Sequence, residues 1–246
     1  MISVQRVLKP VKQNHGNHEK RKSEEGLDYD TECAKTYLDR WRYVLKYPIV
    51  FQHKFNDDER EVLIDAIKIG AQTGLVSSLH REELKEIADR MSLGDCCKDG
   101  WFCRFNGASP KDGRFDWPMM SAEDVIGQVS TSWRASQCLR RNDQTLYFCK
   151  FDANWDEKRE LRAFVHRGHL TAITQYCLSF KEPWSTMDNE TLTAVATNIK
   201  CKLEKYYKDL SEACCESFVI DCYVENNLDI RFIELNAFGY WLPAGP

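Results

Sequence analysis

The stretch that most restricts this chain is "FVIDCYVENNLDIRFIELN", residues 218–236. Two runs rich in β-branched and aromatic residues flank an Asn226-Asn227 turn, the pattern of an antiparallel hairpin. Each run nevertheless carries a carboxylate among its apolar residues. With an even-numbered loop of two or four residues, pairing sets Val224 opposite Arg231, Cys222 opposite Ile233 and Asp221 opposite Glu234. Like charges directly across a sheet repel, and Asn236, two residues on, shares the face of Glu234. A cation between them removes the repulsion. Three oxygen donors without thiol or imidazole suit a hard ion such as magnesium, which completes its shell with water and nucleotide phosphates. The competing reading is a pair of solvated acids at strand ends, and a one-residue bulge would break the pairing.

A second hairpin is written in "KRELRAFVHRGHLTAITQY", with a tight turn at Arg167-Gly168. That turn sets Glu160 opposite Gln175 and Arg162 opposite Ile173. Glu160, Arg162 and Gln175 then share one face, while Leu161, Ala163 and Val165 pack on the core. An arginine held on a rigid strand beside a carboxylate is a good phosphate donor; the alternative is a surface Glu–Arg pair. His166 and His169 flank the turn and are expected to face solvent.

Ahead of these hairpins, Val62, Leu63, Ala66 and Ile67 follow helical spacing, with Asn56 and Glu59 as a capping pair and Gly70 as the stop. Leu84, Ile87, Ala88 and Met91 make a second helix, ended near Gly94. From residue 100, "GWFCRFN" reads as a strand, "SAEDVIGQVSTSWRASQCL" contains helix and "QTLYFCKF" is a buried strand. A long amphipathic helix follows, with Leu192, Val195, Ala196, Ile199, Leu203 and Tyr206 on one face. Lys150 ends an apolar strand and requires a partner or an outlet to solvent. Arg104 stands between aromatics. The turn-rich "NGASPKDG" offers backbone N–H groups to phosphates but lacks the ending of a P-loop. Residues 1–30 are polar and aperiodic, a disordered tail. Residues 31–99 form a mostly helical section and 100–246 the domain that carries the chemistry.

A chain of 246 residues, 43% of them hydrophobic and 12% aromatic, is ample for a folded core. A net charge of −4 argues against a general nucleic-acid binder. The eleven cysteines are odd in number, lack Cys-x-x-Cys spacing and read as buried thiols of a reducing compartment. With no signal-like start and no membrane-length apolar run, the expected location is the cytoplasm. Six basic residues and one acidic one in the first 22 leave an organellar-targeting alternative, opposed by the scarcity of serine.

The order of the blocks "RFNGASPKDG", "LYFCKF", "ELRAFVHRGHLTAITQ" and "VIDCYVENNLDIRFIELNAFG" resembles the cell division cycle protein 123 family. The resemblance covers about residues 100–239. It implies an α+β, ATP-grasp-like fold of antiparallel sheets with packed helices, binding ATP with magnesium. It also implies an assembly factor of eukaryotic translation initiation factor 2 that engages its gamma subunit, with no direct contact to nucleic acid or membrane. Under it, Asp221, Glu234 and Asn236 fall on metal positions. Arg104, Asn106, Ser109, Lys111, Asp112, Lys150, Arg162 and Gln175 fall on nucleotide positions; no catalytic residue is implied. This chain departs from the family pattern at Arg104 for a lysine, Gly107 for a tryptophan, Glu234 for an aspartate and Tyr176 for an arginine. The family also continues beyond "GYWLPAGP" through a further helix and acidic tail. An ATP-dependent ligase and a nucleotide-free binding module are the alternatives to an ATP-binding chaperone.

Overall fold

A computed structural model describes residues 29–93, 98–177 and 183–238. Residues 1–28 of the expected tail, Gly94, Cys96, Cys97 and the chain from Gly239 onward lie outside the described residues. Along the chain the elements run α1 (Tyr29–Ala34), α2 (Leu38–Trp41), β1 (Phe51–Lys54), α3 (Asp57–Thr73), α4 (Arg81–Arg90), β2 (Trp101–Arg104), α5 (Ala122–Ser130), α6 (Trp133–Arg140), β3 (Thr145–Lys150), β4 (Glu160–His166), β5 (His169–Gln175), α7 (Asn189–Ala213), β6 (Phe218–Val224) and β7 (Ile230–Ala237). They fall into two compact units. One is Pro48–Trp155; the other joins the chain up to Tyr47 with the chain from Asp156 onward.

In the unit Pro48–Trp155, β1, β3 and β2 form an antiparallel sheet in that order. Four residues long, β1 was not legible as a strand. Its Phe51 stacks on Phe148 with ring centroids 4.3 Å apart and meets the edge of Trp101 at 4.9 Å. Helix α3 begins as its sequence predicts: Asn56 Oδ1 accepts from the Glu59 N–H at 2.9 Å, and Glu59 Oε2 accepts from the Asn56 N–H at 2.7 Å. It does not stop at Gly70. A Cβ there would stand 2.1 Å from the Ser130 carbonyl oxygen, so this glycine serves close helix packing. The cap falls at Gly74, whose φ of 72° is the left-handed conformation that ends helices. Leu63 and Ile67 of α3, and Leu84 and Ile87 of α4, share one core with Val125, Val129, Leu139 and Phe148. The boundary expected at residues 99/100 therefore runs through a single core.

In the other unit, four strands pair antiparallel in the order β5-β4-β6-β7. Leu161, Ala163 and Val165 lie on one face with Phe218, Ile220 and Cys222 opposite them. Helix α7 covers this face through Val195, Ile199, Leu203 and Leu210, all buried, and through Tyr206 and Tyr207 against Phe232 and Phe218. Burying this apolar layer supplies most of the unit's stability. The opposite face is left to the charged residues. All nine described cysteines are free thiols. Cys103, Cys138, Cys149 and Cys222 are buried as expected, but Cys201 is exposed. Among the described residues, no helix is long and apolar enough to cross a membrane.

Candidate metal and nucleotide site

The last hairpin reaches the expected pairing by an unexpected route. Its loop holds residues 225–229, an odd number, so Val224 pairs with Ile230 rather than Arg231, and Cys222 with Phe232 rather than Ile233. A bulge between Asp221 and Cys222 then adds one residue on β7, and Asp221 returns to its place opposite Glu234. Asn236 pairs with Val219, one pleat along on the same face, and its Nδ2 donates to Asp221 Oδ2 at 3.1 Å. On the other side of β6, Arg162 stands directly opposite Asp221. The arginine Nε donates to Oδ1 at 2.7 Å and Nη2 to Oδ2 at 3.0 Å, a two-pronged pair.

These groups are out of water: Asp221 is 1% exposed, Glu160 5% and Arg162 9%. The Asp221 carboxyl is pushed up to about 7 overall: burial raises it most, the Arg162 pair pulls it down, and the nearby Glu234 carboxyl raises it through charge and a hydrogen bond. Burial works against the Arg162 charge as well, but the bonds and charge of Asp221 leave its pKa raised overall. With Asp221 and Glu234 ionised, one arginine leaves the trio with a net negative charge. Such a group takes up a proton or a cation. Two carboxylates and an amide, without sulfur or imidazole, are donors of the type magnesium accepts, and the set fits such an ion.

The middle hairpin departs from its expected register. A bulge between Phe164 and Val165 leaves Leu161, not Glu160, opposite Gln175, and Thr174, not Ile173, opposite Arg162. Gln175 thus lies on the apolar side of the alternation, where its Nε2 donates to the Cys177 carbonyl at 2.7 Å. Tyr176 takes its place on the charged face. Its N–H donates to the Glu160 carbonyl at 3.1 Å, and the Arg162 guanidinium carbon lies 4.7 Å from its ring centroid. The sequence reading has Glu160 only as the carboxylate beside Arg162, and Tyr176 only as a departure from the family pattern. The signal for both was the alternation along β4, which becomes readable for β5 only once the bulge is known. His166 and His169 are exposed, as expected.

The remaining candidates belong to the unit Pro48–Trp155. Arg104 is buried, opposite Tyr147, while Lys150 is exposed, opposite Trp101. Alternation sends them to opposite faces of the sheet, about 10 Å apart along the strands. They do not form one cradle. Lys150 reaches solvent and needs no buried partner. The loop after β2 is pinned rather than flexible. The Gly107 N–H donates to Asp143, the Phe115 N–H to Gln128 Oε1, and Gln128 Nε2 to the Pro110 carbonyl. Asp112 caps the start of α6, accepting from Ser132 Oγ at 2.5 Å and the Arg134 N–H at 3.2 Å. Among the described residues buried Ser109 has no hydrogen-bond partner for its Oγ, whereas Lys111 is exposed and Asn106 half-buried.

A D123 family model matches residues 128–242. Among solved structures, C-terminally truncated Cdc123 from Schizosaccharomyces pombe superposes with a TM-score of 0.60 at 16% identity, covering 85% of this chain and 86% of that one. A second structure of Cdc123 from the same organism gives a TM-score of 0.57 at 15% identity with the same coverage. No curated protein matches the chain. The α+β fold class of antiparallel sheets with packed helices read from the sequence is borne out by the two sheets, and the fold is shared with the yeast protein. The D123 family model over residues 128–242 and the fold shared with the yeast protein both support a likeness of this chain to the D123 family.

Proposed function

We propose that the chain binds ATP with magnesium and serves as an assembly chaperone for eukaryotic translation initiation factor 2, through its gamma subunit, rather than as a metabolic enzyme. One observation carries the nucleotide half: the face on which buried Arg162 and Asp221 converge with half-buried Glu234 and Asn236. A net negative cluster of oxygen donors centred on a buried carboxylate is costly unless a cation completes it. Asp221, Glu234 and Asn236 would hold magnesium, which supplies a positive counter-charge to polyphosphate oxygens when bound. The chain's own contribution is to fix both carboxylates on rigid strands with Arg162 balancing one of them. Similarity to the D123 family supports the assembly role, in the cytoplasm.

Titration of magnesium-ATP into the protein and into Asn236→Ala tests the binding. Saturable binding, at least tenfold weaker in the variant and without release of ADP or AMP in cell extract, is the expected result. An intact protein that binds no magnesium-ATP sinks the nucleotide reading. Extract-dependent turnover points instead to the ligase. Retention of the purified gamma subunit on the immobilised protein tests the partner separately, and no retention removes it.

A further inference from the structure

The placement of Tyr176 assigns Arg162 a task different from gripping phosphate. Asp221 engages the guanidinium along one edge through Nε and Nη2, and the ring of Tyr176 lies against the same group, 4.7 Å from its central carbon. Tyr176 is itself anchored: its N–H bonds the Glu160 carbonyl, two residues before Arg162 on β4. The β4–β5 bulge is what puts an aromatic ring there, since an unbroken ladder would have delivered Gln175. A long cationic side chain ordinarily samples many rotamers, and an aromatic surface plus a two-pronged partner leave it one.

We propose that Tyr176 is a positioning residue, whose ring holds the Arg162 fork against Asp221 so that the arginine aims a metal ligand instead of reaching for the nucleotide. The ligand class follows: a polyphosphate is held at this face through its divalent cation, and Arg162 governs cation affinity. This builds on the magnesium-ATP reading above, but the positioning itself exists in the metal-free protein and is measurable there.

The experiment compares the protein with Tyr176→Phe and Tyr176→Leu by two readouts. The first is the NMR signal of the Arg162 Nε–H in metal-free protein, assigned by its disappearance in Arg162→Lys. A protected, slowly exchanging signal in the parent and in Tyr176→Phe, lost in Tyr176→Leu, is expected. The second is titration with manganese as the probe cation, for which Tyr176→Leu should bind about tenfold more weakly and Tyr176→Phe within about twofold of the parent. An Nε–H equally protected in Tyr176→Leu, or lost equally in both variants, overturns the positioning role. If the parent shows the protected signal but takes no cation, positioning stands and the magnesium reading falls. Unchanged manganese affinity in Tyr176→Leu despite a lost signal overturns the claim that Arg162 governs the cation.

Discussion

The two hairpins of the four-stranded sheet each carry one extra residue, with opposite consequences. In β6–β7 the odd loop and the bulge cancel, and Asp221 meets Glu234 as if the hairpin were regular. In β4–β5 the tight turn is regular, nothing offsets the bulge, and the residue presented beside Arg162 changes from Gln175 to Tyr176. Side-chain direction in a strand depends on parity, so one uncompensated insertion reverses everything beyond it and two leave it intact. A charged face thus survives on three strands and is altered on the fourth.

The sharpest way to break this contrast is to remove the group at its centre. Asp221→Ala leaves a buried arginine that cannot shed its charge, and should cost about 3 to 5 kcal/mol in urea denaturation. Gln175→Ala, outside the cluster, should change stability by no more than about 0.5 kcal/mol and leave magnesium-ATP affinity unaltered. Similar losses from both would place Gln175 back on the charged face.

A smaller effect follows from the raised Asp221 carboxyl. Its value in the folded protein, about 7, exceeds the ordinary 3.8, so the folded state holds a proton that the unfolded chain has released. This group's contribution to stability therefore falls as pH rises from about 4 to about 7 and is level above that window. In metal-free protein the decline should be on the order of 2 to 4 kcal/mol, read as urea midpoints at pH 5 and pH 8. Asp221→Asn should flatten it, and a slope of the same size in that variant would locate its origin elsewhere.

The extent to which this site was legible follows the same arithmetic. Helix α3 was readable because its capping box is local, Asn56 to Glu59. Its end was misplaced because two glycines compete, and only the approach of Ser130 to Gly70 shows which is the cap. The pairing of Asp221 with Glu234 was found although neighbouring pairs were not, since loop and bulge offset each other. The face of Gln175 was missed because no turn residue announces a bulge at Phe164. The separation of Arg104 from Lys150 is set by the strand pairing of Trp101 with Lys150, a non-local fact. The resemblance aligned their positions in sequence but carried no information on side-chain direction.

The smallest expected effect tests the loop that makes the compensation necessary. Leu228 holds a φ of 64°, a left-handed conformation that a leucine adopts at a cost of roughly 1 to 2 kcal/mol. Leu228→Gly relieves that strain and loses part of the benefit to unfolded-chain entropy. A net gain of about 0.5 kcal/mol in the same denaturation assay is expected. A net loss would mean that the five-residue loop is not formed as described.

Whether the Asp221 carboxyl holds the cation is tested by calorimetric titration of magnesium-ATP into the protein and into Asp221→Asn, run at pH 6.5 in two buffers of different ionisation enthalpy. Binding by the parent is expected, with release of a fraction of a proton, because a cation displaces the proton held on the Asp221 carboxyl. Both affinity and proton release should be lost in the variant. Undiminished binding in Asp221→Asn, or parent binding without proton release, would contradict this.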